Sequence, residues 1–115
     1  MRGHLDYLQD ILNAIEDINS FVKGMDEEEF KDDKKTFLAV VKCFEIIGEA
    51  AKNVPKSIRN RYDAVLWKDV AGMRDKLSHA YFGIDIEVVW KAIQRDLPIL
   101  NEQISRIMND SKGER

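Results

Sequence analysis

The sequence predicts an all-α protein, an antiparallel bundle of four main helices with one or two short helices, which forms a two-fold dimer. Three observations lead to this prediction. Apolar residues recur every three or four positions along most of the chain, which is the period of an amphipathic helix. No segment alternates apolar and polar residues as a half-buried strand does. Glycine and proline separate the periodic segments by short connections, which place consecutive helices antiparallel.

Length and composition indicate one domain. The chain has 115 residues, of which 44% are hydrophobic and 34% are charged, and this is typical of a globular protein. We expect a helical domain over residues 1–110 and a frayed tail over residues 111–115. No segment approaches the roughly 20 apolar residues of a membrane span, and we expect no secretory signal. Cys43 is the only cysteine, which excludes an internal disulfide. The predicted location is the cytoplasm, without membrane contact.

Charge is unevenly distributed, although the net charge is only −3. Residues 26–33 form an acidic block, whereas residues 52–76 carry a basic excess. Both segments are consistent with solvated surface, and the basic one is also consistent with a local surface that holds a polyanion. The basic residues are Lys52, Lys56, Arg59, Arg61, Lys68, Arg74 and Lys76.

The first half of the chain predicts two long helices. The first begins near Leu5 and stops before Gly24, which favours a helix C-terminus. Asp26 and Glu29 have the spacing of a capping box and predict a short helical turn. The second long helix is predicted over residues 34–52, because the following Pro55 disfavours helix in the residue before it.

The second half predicts a short helix and two further long ones. The short helix covers residues 55–62, and the third long helix runs from residue 67 or 68 to residue 81. Gly83 breaks that helix, and Asp85 caps the fourth. Pro98 lies inside the fourth helix and is expected to kink it or to free a carbonyl. The apolar stripe of this helix, which could instead mark a dimer seam, follows a seven-residue spacing: Ile86, Val89, Ile93, Leu97, Leu100, Ile104 and Ile107.

The segment around residues 74–82 carries the residues best suited to chemistry. On an ideal helix, Arg74, Ser78 and Tyr81 fall on one stripe, four and seven residues apart. Asp75 and His79 fall on a second stripe, where the carboxylate can reach the imidazole. Arg74 and His79 are about 140° apart around the same helix, so they lie on either side of one helix face and do not stack on each other.

These residue types suit the cleavage of a phosphodiester. Arg74 offers a permanently charged fork to a phosphate and to the charge that develops in the transition state. His79 can take or give a proton near neutral pH, and Asp75 can hold the imidazole in one tautomer. RNA supplies its own nucleophile, the ribose 2′-hydroxyl, so no metal is required. A two-fold dimer would place both pairs around one groove. A surface ion pair and a histidine that interacts with a helix dipole explain the same residues without catalysis.

No cofactor or metal site is predicted, because the sequence contains no Gly-rich phosphate loop and no metal-ligand spacing. Glu45 and Glu49 are one helical turn apart, and they either face the proposed groove as partners that support Arg74 or pair with Lys42 and Lys52 at the surface. Lys76 either contacts the RNA backbone or faces water.

The segment over residues 67–82, WKDVAGMRDKLSHAYF, resembles the signature of HepT-like proteins in the HEPN superfamily. That signature is an arginine, a polar residue, three further residues, a histidine, and a tyrosine two positions later, and Arg74, Asp75, His79 and Tyr81 fill these places. The resemblance extends from about Leu5 to Ile107 and includes residues 45–51 and the sequence Asp96-Leu97-Pro98.

The resemblance implies a helical homodimer that acts as a metal-independent ribonuclease, with the arginine and histidine of both subunits in an interfacial cleft. It implies a toxin of a type VII-like HEPN/MNT toxin–antitoxin module, whose partner is a nucleotidyltransferase (MNT) antitoxin. In related systems that partner transfers AMP to the tyrosine of the motif, which is Tyr81 here.

Two other functions are kept as alternatives. One is a non-catalytic helical dimer that binds a nucleotide or a protein, in which Arg74 anchors phosphate without turnover. The other is a structural adaptor, for which Arg74, His79 and Tyr81 would all be replaceable. The complete set of arginine, polar residue, histidine and tyrosine favours the ribonuclease, because a pure binder has no need of a proton-transfer residue.

Overall fold

The regular structure of the chain is helical, as the sequence predicts. A computed structural model describes the backbone of residues 2–78 and 86–113, and the side chains of residues 2–73 and 86–111. Within these ranges there is no strand, which confirms the all-α class. The helices are α1 His4–Val22, α2 Glu27–Asp32, α3 Lys34–Asn53, α4 Lys56–Arg61, α5 Trp67–Ser78, α6 Ile86–Lys91 and α7 Leu97–Gly113, with a π-helical turn over Ala92–Asp96 that joins α6 to α7.

The core lies where α1, α3, α5 and α7 meet. Helix α3 packs against α1 on one side and α5 on the other, and α1 also contacts α7. The start of α1 lies beside the end of α3, where Tyr7 and Asn53 line the same depression, so these two helices are antiparallel. The buried residues of the described ranges are all apolar apart from glycine. The largest of the fully buried side chains are Phe30, Phe44, Leu8, Ile11, Ile15 and Ile18.

The boundary between α1 and α2 follows the predicted signals. Helix α1 ends at Val22, and Gly24 adopts a φ of 79°, a left-handed conformation that glycine adopts without steric cost. The Asp26 carboxylate accepts a hydrogen bond from the Glu29 amide at 2.8 Å, and the Glu29 carboxylate accepts one from the Asp26 amide at 3.2 Å. The predicted capping box is therefore confirmed.

Helix α3 begins at a second cap. The Asp33 carboxylate accepts hydrogen bonds from the backbone amide of Thr36 at 2.9 Å and from its hydroxyl at 2.8 Å. These bonds favour the charged form and hold the pKa of Asp33 below its ordinary value. Helix α3 ends at Asn53, just before Pro55, in agreement with the predicted end.

The last long helix contains a π-helical turn directly before Pro98. The Leu97 amide donates to the carbonyl of Ala92, five residues back, which is the hydrogen bond of a π-helix. Pro98 follows directly and has no amide hydrogen to donate to the carbonyl four residues earlier. The π turn gives the proline ring the room that a regular α-helical turn lacks, so the helix passes through Pro98 and continues to Gly113.

Two further predictions concern the ends of helices. Helix α5 begins at Trp67, as expected, and the described residues reach Ser78; the predicted end at residue 81, the break at Gly83 and the cap at Asp85 lie outside the described residues. Helix α7 includes the first three residues of the predicted frayed tail, whereas the division at residue 110 stays a prediction. In the part of the chain that the structure describes, no helix is long and apolar enough to cross a membrane. The two-fold dimer also stays a prediction.

Candidate functional site

Helix α5 carries the first half of the predicted motif and is anchored at its N-terminal end. Trp67, the first residue of the helix, is buried, and its indole Nε1 donates a hydrogen bond to the carbonyl of Tyr62 at 3.0 Å. Val70, three residues later, is also buried in the core. Because the core holds this end of α5, the backbone of residues 74–78 continues from a fixed helix.

The six predicted site residues of the motif segment fall into two groups. Four of them lie on α5 where the structure describes the backbone, namely Arg74, Asp75, Lys76 and Ser78. Arg74 and Ser78 are one helical turn apart there, so their Cα atoms lie on the same side of the helix. The other two, His79 and Tyr81, lie outside the described residues. The roles assigned to all six stay predictions.

Two grooves lie alongside α5 and together form one surface, which we call the groove face. The first, of about 420 Å³, lies between α5 and α7 and includes Leu66, Val70 and Ile99. The second, of about 540 Å³, lies between α5, α6 and the π turn. Three residues line both grooves, namely Asp69, Met73 and Asp96. The groove face therefore follows α5 up to the start of the motif.

The groove face exposes large apolar side chains. The relative exposure is 67% for Leu66, 60% for Val88 and 59% for Ile99, and these are the highest values among the exposed large hydrophobic residues of the described ranges. Leu66 and Ile99 line the first groove, and Val88 lines the second. Apolar side chains that cluster in this way on a surface are typical of an interaction site.

The groove face also carries balanced charge. Lys91 and Arg95 line the second groove one helical turn apart, and the carboxylates of Asp69 and Asp96 belong to both grooves. All four residues are exposed. None of them forms an ion pair in the structure over the described residues. Among the described residues, the groove face thus presents two cations and two anions that no neighbour neutralises.

Glu45 and Glu49 lie on α3, away from these grooves. They line a shallow depression of their own together with Lys42 and Ile46. The Glu45 carboxylate lies 3.7 Å from the Lys42 ammonium, which is the surface pairing that the sequence analysis kept as an alternative for Glu45. A supporting role behind the motif arginine stays a prediction for both residues.

The described residues contain neither a reactive cysteine nor a metal-ligand cluster. Burial raises the pKa of the Cys43 thiol, so the thiol stays protonated and is a poor nucleophile. No group of three or more histidine, cysteine, aspartate or glutamate residues in the described ranges is arranged to hold a metal ion.

The groove face is the feature that the sequence analysis did not identify. Its exposed apolar side chains, Leu66, Val88 and Ile99, lie outside the predicted core stripes, and Lys91 and Arg95 are spaced by four residues. These are the signals that could have pointed to it. Neither signal says which other helix lies opposite, so the four charges could not be grouped before the fold was known.

Comparison with known proteins identifies the family. The family model described as "Ribonuclease HepT-like" matches residues 11–107. The chain is 45% identical to a protein of Thermococcus cleftensis named "Probable ribonuclease HepT", over 92% of this chain and 96% of that protein. It is 44% identical to "Putative RNase MJ1216" of Methanocaldococcus jannaschii, over 93% of this chain and 88% of that protein. A search of solved structures gives no significant match. Since the family model matches more than four fifths of the 115 residues, the chain belongs to the HepT-like ribonuclease family.

Proposed function

We propose that this protein is a ribonuclease that cleaves RNA with Arg74 and His79, and that it is the toxin of a type VII-like HEPN/MNT toxin–antitoxin module. The observation that carries the proposal is the near full-length similarity to proteins named as ribonucleases, together with the arginine and histidine spaced by five in this chain. The anchored helix α5 supports it further, because catalytic groups act best from a rigid element.

The proposed reaction uses the ribose 2′-oxygen as its nucleophile. His79 takes the proton from the 2′-hydroxyl, and the 2′-oxygen attacks the adjacent phosphorus. Arg74 stabilises the negative charge that develops on the phosphate oxygens. The bond to the 5′-oxygen breaks, and that oxygen receives a proton, which leaves a 2′,3′-cyclic phosphate and a 5′-hydroxyl. Asp75 orients the imidazole, Ser78 lies on the Arg74 stripe, and Lys76 contacts the RNA backbone.

A homodimer completes the proposed site. One arginine and one histidine per subunit would place two proton-transfer groups in a shared crevice, where one imidazole acts as base and the other can protonate the leaving oxygen. The exposed apolar side chains of the groove face support self-association, since a chain of this size buries a limited core by itself.

Cleavage without metal tests the proposed chemistry. We expect purified protein to cut RNA at an unchanged rate in excess EDTA, and to release ends that carry a 2′,3′-cyclic phosphate. A substrate with 2′-O-methyl groups at every position should resist cleavage, because it lacks the nucleophile. Loss of activity in EDTA with recovery on addition of Mg²⁺ would contradict the metal-independent mechanism. Binding of RNA or nucleotide without any cleavage would favour the non-catalytic dimer.

Regulation by a nucleotidyltransferase antitoxin is the second part of the proposal. The antitoxin would transfer AMP from ATP to the Tyr81 hydroxyl, forming a phosphodiester and releasing pyrophosphate. The added phosphate brings negative charge and bulk next to the motif, where it would repel an RNA phosphate. We expect co-expression with the antitoxin to raise the intact mass by one or more AMP units and to abolish cleavage. Tyr81→Phe should prevent both changes, and Tyr7→Phe, a tyrosine at the other end of the sequence, should not. An unchanged mass would contradict this part alone.

A further inference from the structure

We propose that the groove face is the dimer interface, and that Lys91 and Arg95 of one copy pair with Asp69 and Asp96 of the other. This inference rests on the homodimer of the proposed function and specifies its surface and its ionic contacts. The proposal rests on two independent features of the face. These are its exposed apolar side chains and its charged side chains without an ion pair among the described residues.

The exposed apolar side chains of the groove face favour its burial against another protein surface. Leu66, Val88 and Ile99 are each more than half exposed, and each borders a groove that also contains buried core residues such as Val70 and Val89. Removing these side chains from water favours association. Met73 lies at the junction of the two grooves, and its flexible thioether side chain can adapt to a partner surface.

The charges of the groove face favour a second copy of the chain as its partner. In a two-fold interface, a contact from one residue to another is always repeated in the reverse direction. A face with two cations and two anions can therefore neutralise itself across the axis. Lys91 and Arg95 lie on α6 and the π turn, and Asp69 lies across the second groove on α5. No ion pair within the described residues competes for these four groups.

An RNA strand is the less suitable occupant of this face. A polyanion is held by a net excess of Lys and Arg, whereas the charges of the described residues that line the groove face sum to zero and several of them are exposed and apolar. Two copies that meet here would bring two α5 helices together, and with them both copies of residues 74–78. The dimer would then hold the two motif segments together, and the motif residues would not themselves form the interface contacts.

Charge exchange between two variants tests the interface. Variant one carries Lys91→Asp and Arg95→Asp, so its face is wholly acidic, and variant two carries Asp69→Lys and Asp96→Lys, so its face is wholly basic. We expect each variant alone to dimerise at least about tenfold more weakly than the parent, because like charges oppose each other. An equimolar mixture should recover a dimer that contains one copy of each. Native mass spectrometry at fixed concentration gives the composition. The matched control, Lys23→Asp with Lys35→Asp, changes two exposed lysines outside the groove face and should dimerise as the parent does.

Crosslinking of the unaltered protein gives a test that does not depend on the folding of variants. A carbodiimide joins amines to carboxylates in direct contact, so a dimer of one ¹⁵N-labelled and one unlabelled copy should contain mixed-isotope peptides that join Lys91 of one copy to Asp69 or Asp96 of the other. Crosslinks that map elsewhere, a parent that stays monomeric, or variants that keep the parental dimer would overturn the inference. Variants that stay dimeric but lose RNA binding would show that the face contacts RNA. If the charge exchange succeeds and the parent fails to cut RNA, the ribonuclease proposal fails and the interface stands.

Discussion

Replacing His79 with alanine is expected to lower the rate of RNA cleavage by roughly 10²- to 10⁴-fold, the usual contribution of a general acid or base. Arg74→Ala should cost about 10²- to 10³-fold, because it removes the group that stabilises transition-state charge. Both variants should keep the helical circular-dichroism signal of the parent. The rates are measured with a fluorescent RNA under single-turnover conditions, so that product release does not mask the chemical step.

Two residues in the chain provide matched controls. His4 begins α1, far in sequence from the motif, and His4→Ala should cut RNA at the parental rate. Arg106 is 71% exposed and pairs with Glu102 at 3.2 Å, so Arg106→Ala removes a surface arginine without touching the proposed chemistry. A His79→Ala protein as active as the His4→Ala protein would refute the assignment of the imidazole. The same result for Arg74 would leave transition-state stabilisation to another group.

Phe30→Ala is expected to destabilise the fold by about 3–5 kcal/mol, the range measured for buried phenylalanines. Phe30 is fully buried on α2, and its ring centroid lies 5.9 Å from that of Phe37 and 5.2 Å from that of Trp90. It therefore connects α2 to α3 and α6 at once. Such a loss is a large part of the roughly 5–15 kcal/mol that stabilises a typical domain. Urea denaturation at one protein concentration measures it, since any self-association would make stability depend on concentration.

A second phenylalanine serves as the control for this change. Phe21 is 43% exposed on α1, so Phe21→Ala should change the free energy of unfolding by a much smaller amount. Equal losses for the two variants would mean that the aromatic cluster around Phe30 contributes nothing beyond the removal of a side chain. A small loss at Phe30 alone would indicate that α2 detaches readily and is marginal to the fold.

The fold was predictable because its signals are local. Gly24, Asp26 and Pro55 end or cap helices through their own backbone conformation or through hydrogen bonds to residues three positions away. For Pro98, the sequence predicted a local disturbance of the helix but not the π turn that precedes it. A missing amide hydrogen can be accommodated by a kink, an unpaired carbonyl or a wider turn, and the packing of the surrounding helices decides among them.

The site was predictable only in part, for a physical reason. The spacing of Arg74 and His79 is read from one segment, and the resemblance to a family gives it a chemical role. The groove face is instead assembled from α5, α6, the π turn and α7. The grouping of Asp69 with Arg95 depends on how these helices cross, and no local pattern encodes that crossing.

The π turn adds one residue to the last helix between two of its buried positions. Val89 and Leu97 are both buried, yet they are eight positions apart, one more than a heptad repeat allows. The wider turn takes up this surplus residue, so the interior stripe stays in phase with the core on either side of it. Loss of one residue between positions 92 and 96 would therefore give a regular turn that keeps Val89 and Leu97 aligned, while Arg95 and Asp96 would lose their present places along the grooves. Single-residue length variation at this point is therefore expected to change the exposed surface beside α5 while sparing the architecture of the helical core.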